Sequence, residues 1–594
     1  MLPHRFIEQA LQAAVAALLP DADTSAILVR PCPDPKFGDY QTNALIGLAK
    51  SRKLNPRQLA TDVLAKLALT DWCERIEIAG PGFLNFHLHP DALARALSAA
   101  AAGGHLFFEP TAQPRTVVVD FSSPNVAKPM HVGHIRSTVL GDSLARTLRL
   151  LGHRVVADNH IGDWGTQFGM LLVAWKTLLD RSQLQADPLA EMERIYKTVS
   201  GRCDPEKPGF DRATLDRARS ELVQLQAGDA ENLSIWQEMI RLSQTQFESI
   251  YSRLGVKFDH TLGESFYNSR LKTVVEELMS QGIATESRGA KAVLSDGTLP
   301  AKEDPFLIQR DGEWTANPFI VQKQDGGFNY ASTDLATVAY RLETWGAAEI
   351  IYVTDGRQQL HFRQLFAAFR RWHPEAQTKL AHVWFGSILG EDGKPFKTRS
   401  GETVRLSELL DEAQERAFQV VSQKSPDVPE AERREIARIV GVGAVKYADL
   451  LPNRQSDYVF SWDKMLALNG NTAPYLQYAY ARIRSIFRKG GLETAGAAIM
   501  KAELTFTSPQ ESALAKHLLN FGIILEGVAA EYRPNFLCNY LYELAGHFTS
   551  FYENCPVLKS EGAQRASRIV LCDLTAQVLK KGLELLGIET VDQM

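Results

Sequence analysis

The pattern of hydrophobic and polar residues first predicts a small mixed domain at the start of the chain. Between residues 5 and 19 apolar residues recur at helical spacing, and a second helical pattern begins at Leu59. The run IEIAGPGFLNFHL at 76–88 is typical of two strands joined by a Gly-Pro-Gly turn. These elements predict an α+β domain over residues 1–112, ending in a segment rich in glycine and proline.

Short apolar runs alternate with helical patterns in the middle of the chain. The strand-like runs are residues 116–121, 319–321, 350–353 and 382–385. Such alternation predicts parallel βαβ units, so we expect a Rossmann-type domain over residues 113–450. A long helical region at about 181–280 interrupts it as an insertion. In such sheets the ligand binds at the carboxyl ends of the strands.

The remaining residues, 451–594, are almost entirely helical in pattern, with breaks at Pro474, Gly490 and Pro509. They predict an all-α bundle. The predicted fold class is therefore α/β: a Rossmann-type parallel sheet with a helical insertion, a small α+β N-terminal domain and an all-α C-terminal bundle.

Composition indicates an ordinary soluble protein, because 45% of the 594 residues are hydrophobic and 23% are charged. No apolar run approaches the ~18–20 residues of a membrane span, and the first residues lack the features of a signal peptide. We expect a cytoplasmic protein that makes no membrane contact. The six cysteines form no C-x-x-C pair, which favours reduced thiols and no structural metal.

The net charge of −5 gives no general attraction to nucleic acid. Binding to a polyanion would therefore need local basic patches.

Candidate chemistry concentrates between residues 116 and 137, TVVVDFSSPNVAKPMHVGHIRS. A strand ends in turn residues, and a helix follows with His131, Gly133 and His134 at its start and Lys128 just upstream. Helix N-termini attract phosphate, imidazole and ammonium groups add donors, and glycine permits close approach of a ligand. Taken alone, a four-residue pattern also fits two polar residues at a surface helix start.

The segment SSPNVAKPMHVGHIRST, followed by NHIGDWGTQFG at 159–169, resembles the signature region of class I aminoacyl-tRNA synthetases, and specifically of arginyl-tRNA synthetases. The resemblance covers residues from about 30 to 594. It implies an ATP-dependent arginine–tRNA ligase that forms arginyl-adenylate and pyrophosphate, then transfers arginine to the 3′-terminal ribose of tRNA(Arg). It also implies Mg²⁺ bound to the substrate ATP, a monomer, and tRNA binding before arginine activation.

Activation requires alignment of the reactants and stabilisation of charge on phosphate oxygens. Lys128, His131 and His134 suit the α-phosphate, while Lys394, Lys397 or Arg399 suits the pyrophosphate. Which of these last three contacts pyrophosphate stays open, because Phe396 stands where the family's K-M-S-K-S loop has its first lysine. The resemblance implies that Lys128 compensates. The candidate ATP-binding residues are His131, Gly133, His134, Gly386 and Lys397.

A guanidinium substrate needs a carboxylate as a planar, charged acceptor, and Asp120 and Asp334 are candidates. Asp334 could instead serve only to stabilise a helix N-terminus, an effect of ~0.5–1 kcal/mol that is compatible with binding. The resemblance implies two groups of arginine-binding residues. Those at the α-amino and carboxylate end are Asp120, Asn125 and His131, and those around the guanidinium are Tyr330, Asp334 and Gln358.

Two further segments resemble RNA-contacting parts of the same family. The loop FGDYQTN at 37–43 nominates Phe37 and Gln41 for the outer corner, or D-loop, of tRNA. The pattern NTAPYLQYAYAR and the chain end nominate residues for the anticodon, namely Tyr475, Tyr478, Arg482 and Met594. On pattern alone, a core role for Phe37 and Tyr40 that anchors the turn is favoured in the first segment. A buried aromatic stripe beside a solvated basic face explains the second segment equally well.

Three other kinds of protein would share parts of this pattern. A non-catalytic tRNA-binding relative would be expected to lose the histidine motif or Asp334, and both are present. A small-molecule nucleotidyltransferase would lack the C-terminal helices. A synthetase for cysteine would need zinc-binding cysteines, and one for glutamate would not place carboxylates around its substrate.

Overall fold

The computed structural model of the chain describes residues 2–396, 403–492 and 504–594. These residues form two units. The terminal unit comprises residues 1–110, 467–584 and 589–594, and the central unit comprises residues 111–466 and 585–588.

The N-terminal part of the terminal unit is the predicted α+β arrangement. Its elements are α1 (Pro3–Leu18), β1 (Arg30–Pro31), β2 (Tyr40–Thr42), α2 (Ala44–Ser51), α3 (Pro56–Leu64), β3 (Cys73–Ala79), β4 (Phe83–Leu88) and α4 (Pro90–Ala101). The strands form an antiparallel sheet in the order β1-β2-β4-β3. Gly82, with φ +140°, turns the chain between β3 and β4, as the Gly-Pro-Gly pattern predicted.

The central unit contains the remaining strands and most of the helices. Its first half consists of β5 (Thr116–Asp120), α5 (Val132–Leu150), β6 (Arg154–Asp158), α6 (Thr166–Leu178), α7 (Arg181–Ala186), α8 (Pro188–Cys203), α9 (Arg212–Gln226), α10 (Ala230–Leu254), α11 (Asn268–Ser280), β7 (Ala284–Ser287) and β8 (Ala290–Val293). Its second half consists of β9 (Leu307–Arg310), β10 (Glu313–Ala316), β11 (Phe319–Gln322), α12 (Tyr330–Trp345), β12 (Glu349–Tyr352), α13 (Gln359–Trp372), β13 (Lys379–His382), β14 (Ile388–Leu389), α14 (Leu406–Lys424), α15 (Glu430–Leu450), β15 (Tyr458–Val459) and α16 (Trp462–Met465).

A four-stranded parallel sheet, in the order β13-β12-β5-β6, organises the central unit. Its inner strand β5 is buried on both faces, which explains the run of three valines at 117–119. Register aligns Asp120 with Asp158 on one side and with Tyr352 on the other. Three polar side chains therefore lie together at the carboxyl edge of the sheet.

Two of the predicted strands differ from the observed ones. Residues 319–321 belong to β11, which pairs antiparallel with β8 in a separate three-stranded sheet, so they are not part of the parallel sheet. The run at 382–385 follows the strand, because β13 ends at His382. Apolar content does not say which partner a short strand will choose, and this is why both predictions were wrong.

The C-terminal part of the terminal unit is helical, as predicted. Its elements are α17 (Ala473–Lys489), α18 (Pro509–Leu518), α19 (Phe521–Glu531), α20 (Asn535–Asn554) and α21 (Gly562–Leu585). Contrary to our expectation, the stretch 509–531 has the length and hydropathy of a membrane span, but half of it is buried within the fold. It consists of α18 and α19, which pack against α20, and core helices of soluble proteins have the same composition.

Candidate active site and RNA-contacting surfaces

His131 and His134 cap the first turn of α5 through their rings. Nδ1 of His131 accepts a hydrogen bond from the Gly133 N–H at 3.1 Å, and Nδ1 of His134 accepts one from the His131 N–H at 3.0 Å. The two ring centroids are 4.1 Å apart. Because each Nδ1 is an acceptor, each ring carries its proton on Nε2. The motif thus presents two neighbouring N–H donors.

Both imidazoles are neutral near pH 7. Burial, followed by the positive charges of Arg357 and Lys128, lowers the pKa of His131. Burial and the neighbouring His131 lower the pKa of His134 to about 3. The two rings therefore act as hydrogen-bond donors toward an anion rather than as cations.

Gly133 has a packing role besides the close ligand approach that we predicted. A Cβ atom built on Gly133 would lie 2.9 Å from Cε1 of His131 and 3.0 Å from its Nδ1. Any side chain at this position would therefore push the His131 ring from its place.

The loop between β5 and α5 has a strained backbone and is stabilised by hydrogen bonds from another helix. Ser122, Ser123 and Ala127 adopt φ values of +72°, +47° and +61°, which cost about 1–3 kcal/mol each for residues other than glycine. The α10 helix of the insertion supports the loop: the hydroxyl of Tyr251 lies 2.8 Å from that of Ser122, and Ser243 Oγ accepts from the Ala127 N–H at 3.0 Å. The predicted insertion therefore shapes the candidate site.

Asn125 is exposed at the surface of this loop and packs over Gly162. The Gly162 N–H donates to the carbonyl of Pro124, and the Gly162 carbonyl accepts from the Val126 N–H, both at 3.0 Å. A Cβ on Gly162 would lie 2.2 Å from Oδ1 of Asn125. Glycine at this position is therefore needed for the side chain of Asn125 to keep its place.

Asp120 lies at the end of β5 and is 4% exposed. Its Oδ2 accepts from Nη2 of Arg341 at 2.6 Å, and its Oδ1 accepts from Oγ of Ser123 at 3.0 Å. The same guanidinium binds Asp158 at 2.8 Å. The predicted acceptor for arginine thus already holds one guanidinium of the protein itself.

Tyr330 and Asp334 come together with a residue that the sequence did not suggest. Nε2 of His361 donates to Oδ2 of Asp334 at 2.5 Å, and the ring centroid of Tyr330 lies 4.9 Å from that of His361. Tyr330 is 62% exposed, so its ring faces open space where a ligand could stack. Gln358 is exposed and ends the short turn Gly356–Gln358, three residues before His361.

Glu264 is a second residue that sequence reasoning missed. Burial, and then the neighbouring carboxylates Asp334 and Asp163, raise the pKa of Glu264 to about 7, while His160 opposes the shift. A half-buried carboxyl group near Asp334, with a pKa raised close to neutrality, suits a cationic ligand. A lone glutamate in the run LGESFY carries no pattern by which it could have been found.

The segment that carries the predicted pyrophosphate-binding residues is described at both ends. Lys394 lies in a hairpin turn where its carbonyl accepts from the Gly390 N–H at 2.8 Å, and Phe396 stacks on Phe460 at 4.5 Å. After the gap, the Val404 carbonyl accepts from the N–H of Val132 at 3.1 Å. The chain therefore returns beside the histidine motif. Lys397 and Arg399 lie outside the described residues.

Lys128 lies in the strained loop, and its Nζ is 5.2 Å from the ring centroid of Tyr196. Gly386 follows β13, and its carbonyl accepts from Nη1 of Arg136 at 2.8 Å. The buried Arg136 also donates to Asp449 at 2.7 Å. One arginine on α5 thus ties the helix of the histidine motif to the loop that contains Gly386.

In the terminal unit, a cavity of about 940 Å³ contains three of the predicted anticodon-binding residues, Tyr478, Arg482 and Met594. The guanidinium carbon of Arg482 lies 4.4 Å from the ring centroid of Tyr552, which also lines the cavity. Further cations on its wall are Arg488, which belongs to the same aromatic and basic pattern in the sequence, and Lys489 and Lys559, which the sequence did not suggest. Tyr475 is not in the lining; its ring lies 5.7 Å from that of Tyr542.

The last residues of the chain are bound to α17. Nε2 of Gln477 donates to the carbonyl of Glu589 at 2.8 Å, and Nη1 of Arg488 donates to the carbonyl of Asp592 at 2.8 Å. These bonds place Met594 at the cavity wall.

The predicted D-loop candidates lie in the N-terminal part of the same unit, Phe37 in the turn between β1 and β2 and Gln41 in β2. Phe37 is 50% exposed, and Nζ of Lys36 is 4.7 Å from its ring centroid. Gln41 lies in β2 opposite Asn85. Tyr40, in contrast, is 1% exposed, so the two aromatic residues of this loop divide between surface and core.

Three family models match successive parts of the chain. They are the arginyl tRNA synthetase N terminal domain at residues 5–88, the class I (R) tRNA synthetase catalytic domain at 97–462, and the DALR anticodon binding domain at 476–594.

Individual relatives agree with these matches. The chain is 46% identical to the arginine–tRNA ligase of Hahella chejuensis over 100% of both chains, and 47% identical to that of Laribacter hongkongensis over 98% of both. Among solved structures, it is similar to the arginyl-tRNA synthetase of Thermus thermophilus, with a TM-score of 0.83 and 26% identity over 100% of both chains. That of Plasmodium falciparum gives 0.80 and 29%, over 100% of this chain and 99% of the other. The chain therefore belongs to the arginyl-tRNA synthetase family of class I aminoacyl-tRNA synthetases.

Proposed function

We propose that this chain is an arginine–tRNA ligase whose active site is the carboxyl edge of the parallel sheet. It activates L-arginine with ATP, releases pyrophosphate, and transfers arginine from the adenylate to the 3′-terminal ribose of tRNA(Arg). The observation that carries the proposal is the full-length similarity, at 46–47% identity, to arginine–tRNA ligases.

In the first step, Nε2–H groups of His131 and His134 donate to oxygens of the α-phosphate while the carboxylate of arginine attacks phosphorus. Because these rings are neutral, the compensating positive charge comes from Lys128 and from Lys394, Lys397 or Arg399. Mg²⁺ enters bound to the phosphates of the substrate ATP.

The arginine substrate lies between two sets of residues. Asp120 and Asn125, with His131, hold its α-amino and carboxylate groups, and Asp334 accepts its guanidinium. The residues that complete the guanidinium end are Tyr330, Gln358, His361 and Glu264. Two carboxyl groups at that end exclude an acidic substrate by like-charge repulsion.

RNA binds the terminal unit at two places. Bases of the anticodon stack on Tyr478 and Tyr552 in the 940 Å³ cavity, beside Arg482 and Met594. Phe37 and Gln41 contact the D-loop, and Tyr475 flanks the anticodon. We assign these roles to an N-terminal domain at 1–112 and a C-terminal domain at 451–594, with catalysis at 113–450. We further propose a cytoplasmic monomer that binds tRNA before it activates arginine.

The test is tRNA-dependent aminoacylation with each labelled amino acid in turn. Arginine alone should be charged, and His134→Ala and Asp334→Ala should lose charging while tRNA binding survives. Glu343→Ala is the matched control, because Glu343 lies on the same helix as Asp334 but forms an exposed ion pair with Arg270. Charging of another amino acid, or tRNA binding without charging, would contradict the proposal.

A further inference from the structure

Arg341 is fully buried at the carboxyl edge of the parallel sheet, between two carboxylates. Its Nη2 donates to Asp120 at 2.6 Å and to Asp158 at 2.8 Å, and its exposed fraction is 0%. The ring centroid of Tyr352 lies 5.3 Å from the guanidinium carbon. This arrangement places a protein guanidinium directly beneath the residue that we assign to the α-amino group of the substrate.

Folding alone does not explain an arginine at this position. Within the described parts of the chain, Nε and Nη1 of Arg341 and Oδ1 of Asp158 have no hydrogen-bond partner. A buried ion pair with unmatched groups is often replaced by packed apolar side chains without loss of stability. The arginine must therefore serve the carboxylates that it binds.

We infer that Arg341 is a positioning residue for substrate recognition: it offsets the charge of the paired carboxylates Asp120 and Asp158 and orients that of Asp120 to bind the α-ammonium group of arginine. The inference rests on the proposed role of Asp120, and Arg341 itself does not contact the substrate.

The electrostatic reason is the proximity of two acidic groups on neighbouring strands. Asp120 and Asp158 are directly paired in the parallel register. Burial and the charge of Asp120 raise the pKa of Asp158, and the charge of Arg341 opposes them. Without the guanidinium, the two neighbouring carboxylates would repel each other with no cation between them, and Asp120 would lose the donor that fixes its orientation. The titratable groups that face this pair are Arg341, His160, Tyr267 and Tyr352.

The helix α12 carries Arg341 and also the residue assigned to the other end of the substrate, Asp334. Asp334 and Arg341 are seven residues, or two turns, apart and share one face of the helix, so they are separated by about 10 Å along its axis. The single helix α12 thus positions both Asp334, which accepts the substrate guanidinium, and Arg341, which orients Asp120 at the α-amino end.

The experiment compares arginine with 5-guanidinopentanoate, which is arginine without its α-amino group. The KM for arginine and the Ki of the analogue are measured in the aminoacylation assay with the full chain, tRNA and ATP. The unmodified chain should prefer arginine by about 10- to 100-fold. Arg341→Gln should bring this ratio toward one by raising the KM for arginine, with the Ki of the analogue unchanged.

Three further variants separate this role from a merely structural one. Asp158→Asn keeps an oxygen acceptor for the guanidinium and should retain the preference. Arg568→Lys is the matched control, because Arg568 forms a buried pair with Glu511 at 2.6 Å in the terminal unit; it should lower stability and leave the ratio unchanged. If Arg341→Gln does not fold, Arg341→Lys, which keeps a point charge, should give an intermediate ratio.

Equal weakening of arginine and the analogue by the Arg341 variants would overturn the inference, as would an unchanged ratio. Asp120→Asn distinguishes this failure from failure of the proposed function. If Asp120→Asn collapses the ratio and the Arg341 variants do not, Asp120 keeps its role and only the inference on Arg341 is wrong. If Asp120→Asn leaves the ratio intact, the assignment of Asp120 itself fails.

Discussion

Nε2 of His361 and Oδ2 of Asp334 lie 2.5 Å apart, so the carboxylate assigned to the substrate guanidinium already holds a hydrogen bond from a neighbouring helix. The bond fixes the direction in which Asp334 points before any ligand arrives. A carboxylate has lone pairs for several donors, so it can keep His361 and still accept a guanidinium.

Replacement of His361 by Phe should raise the KM for arginine by about 10- to 100-fold, because a hydrogen bond to a charged group is lost while the ring contacts with Phe319 and Tyr330 stay. Steady-state kinetics should show the KM for ATP unchanged. An equal rise in both KM values would mean that His361 supports the whole site rather than Asp334.

Replacement of Gly133 by Ala should lower kcat by about 10²-fold, since a 1 Å displacement of a catalytic group has effects of this size. The physical reason is the contact of 2.9 Å between the new Cβ and the His131 ring. Gly201→Ala is the control: Gly201 lies within α8 with open space around it, so alanine should be neutral for activity and stabilise by about 0.5–1 kcal/mol. Normal kcat in Gly133→Ala would show that the position of the ring is not critical.

The KM for arginine should fall as pH rises through about 7, because the pKa of Glu264 is raised to about 7 and only its ionised form attracts a guanidinium. Glu264→Gln should remove this step in the pH profile. The titration of His134, whose pKa is about 3, cannot produce it.

Ionisation of Glu264, which should strengthen arginine binding as pH rises, should at the same time lower the stability of the folded chain. Because the folded state raises the pKa of Glu264, its stabilising contribution is complete below the unfolded value near 4.5 and is lost as pH rises through about 7. Glu264→Gln should therefore stabilise the chain at pH 8, by about 1–3 kcal/mol, in urea denaturation. A variant that is less stable at pH 8 would contradict the burial of an ionised Glu264.

Replacement of Tyr552 by Ala should weaken tRNA binding by about 1–3 kcal/mol through loss of stacking, with little change in its salt dependence. Lys559 lies on the wall of the same cavity. Lys559→Gln should make the slope of log K against log salt shallower by about 0.9, the value expected when one phosphate contact is lost. Filter binding at several salt concentrations separates the two effects. A Tyr552 variant that changes only the slope would argue against base stacking in this cavity.

Local patterns predicted the elements that position the histidine motif, because β5, the loop and α5 are adjacent in sequence and each is specified within a few residues. The partner of β11 was mistaken because a four-residue apolar run fits an antiparallel sheet as well as a parallel one. Apolar content indicates burial and leaves strand pairing open.

Glu264, His361 and Arg341 were not predicted for a different reason. Their chemistry depends on neighbours distant in sequence: Arg341 binds Asp120, 221 residues earlier, and Asp158, 183 residues earlier. Spacing within one helix cannot reveal such partners. By contrast, Tyr478, Arg482 and Met594 could be nominated from motifs, and the cavity contains all three.

The positive φ angles of Ser122, Ser123 and Ala127 bear on any effort to make this protein more heat-resistant. Glycine tolerates that backbone conformation without strain, so a screen for thermostability should recover glycine at Ala127, whose side chain makes no hydrogen bond. Glycine at Ser122 or Ser123 would instead remove the hydroxyl bonded to Tyr251 or to Asp120. The same substitution would let the loop before the histidine motif sample many conformations when no substrate is bound. Selection for melting temperature alone would therefore gain stability in this loop at the cost of catalytic readiness, a conflict common in active-site loops.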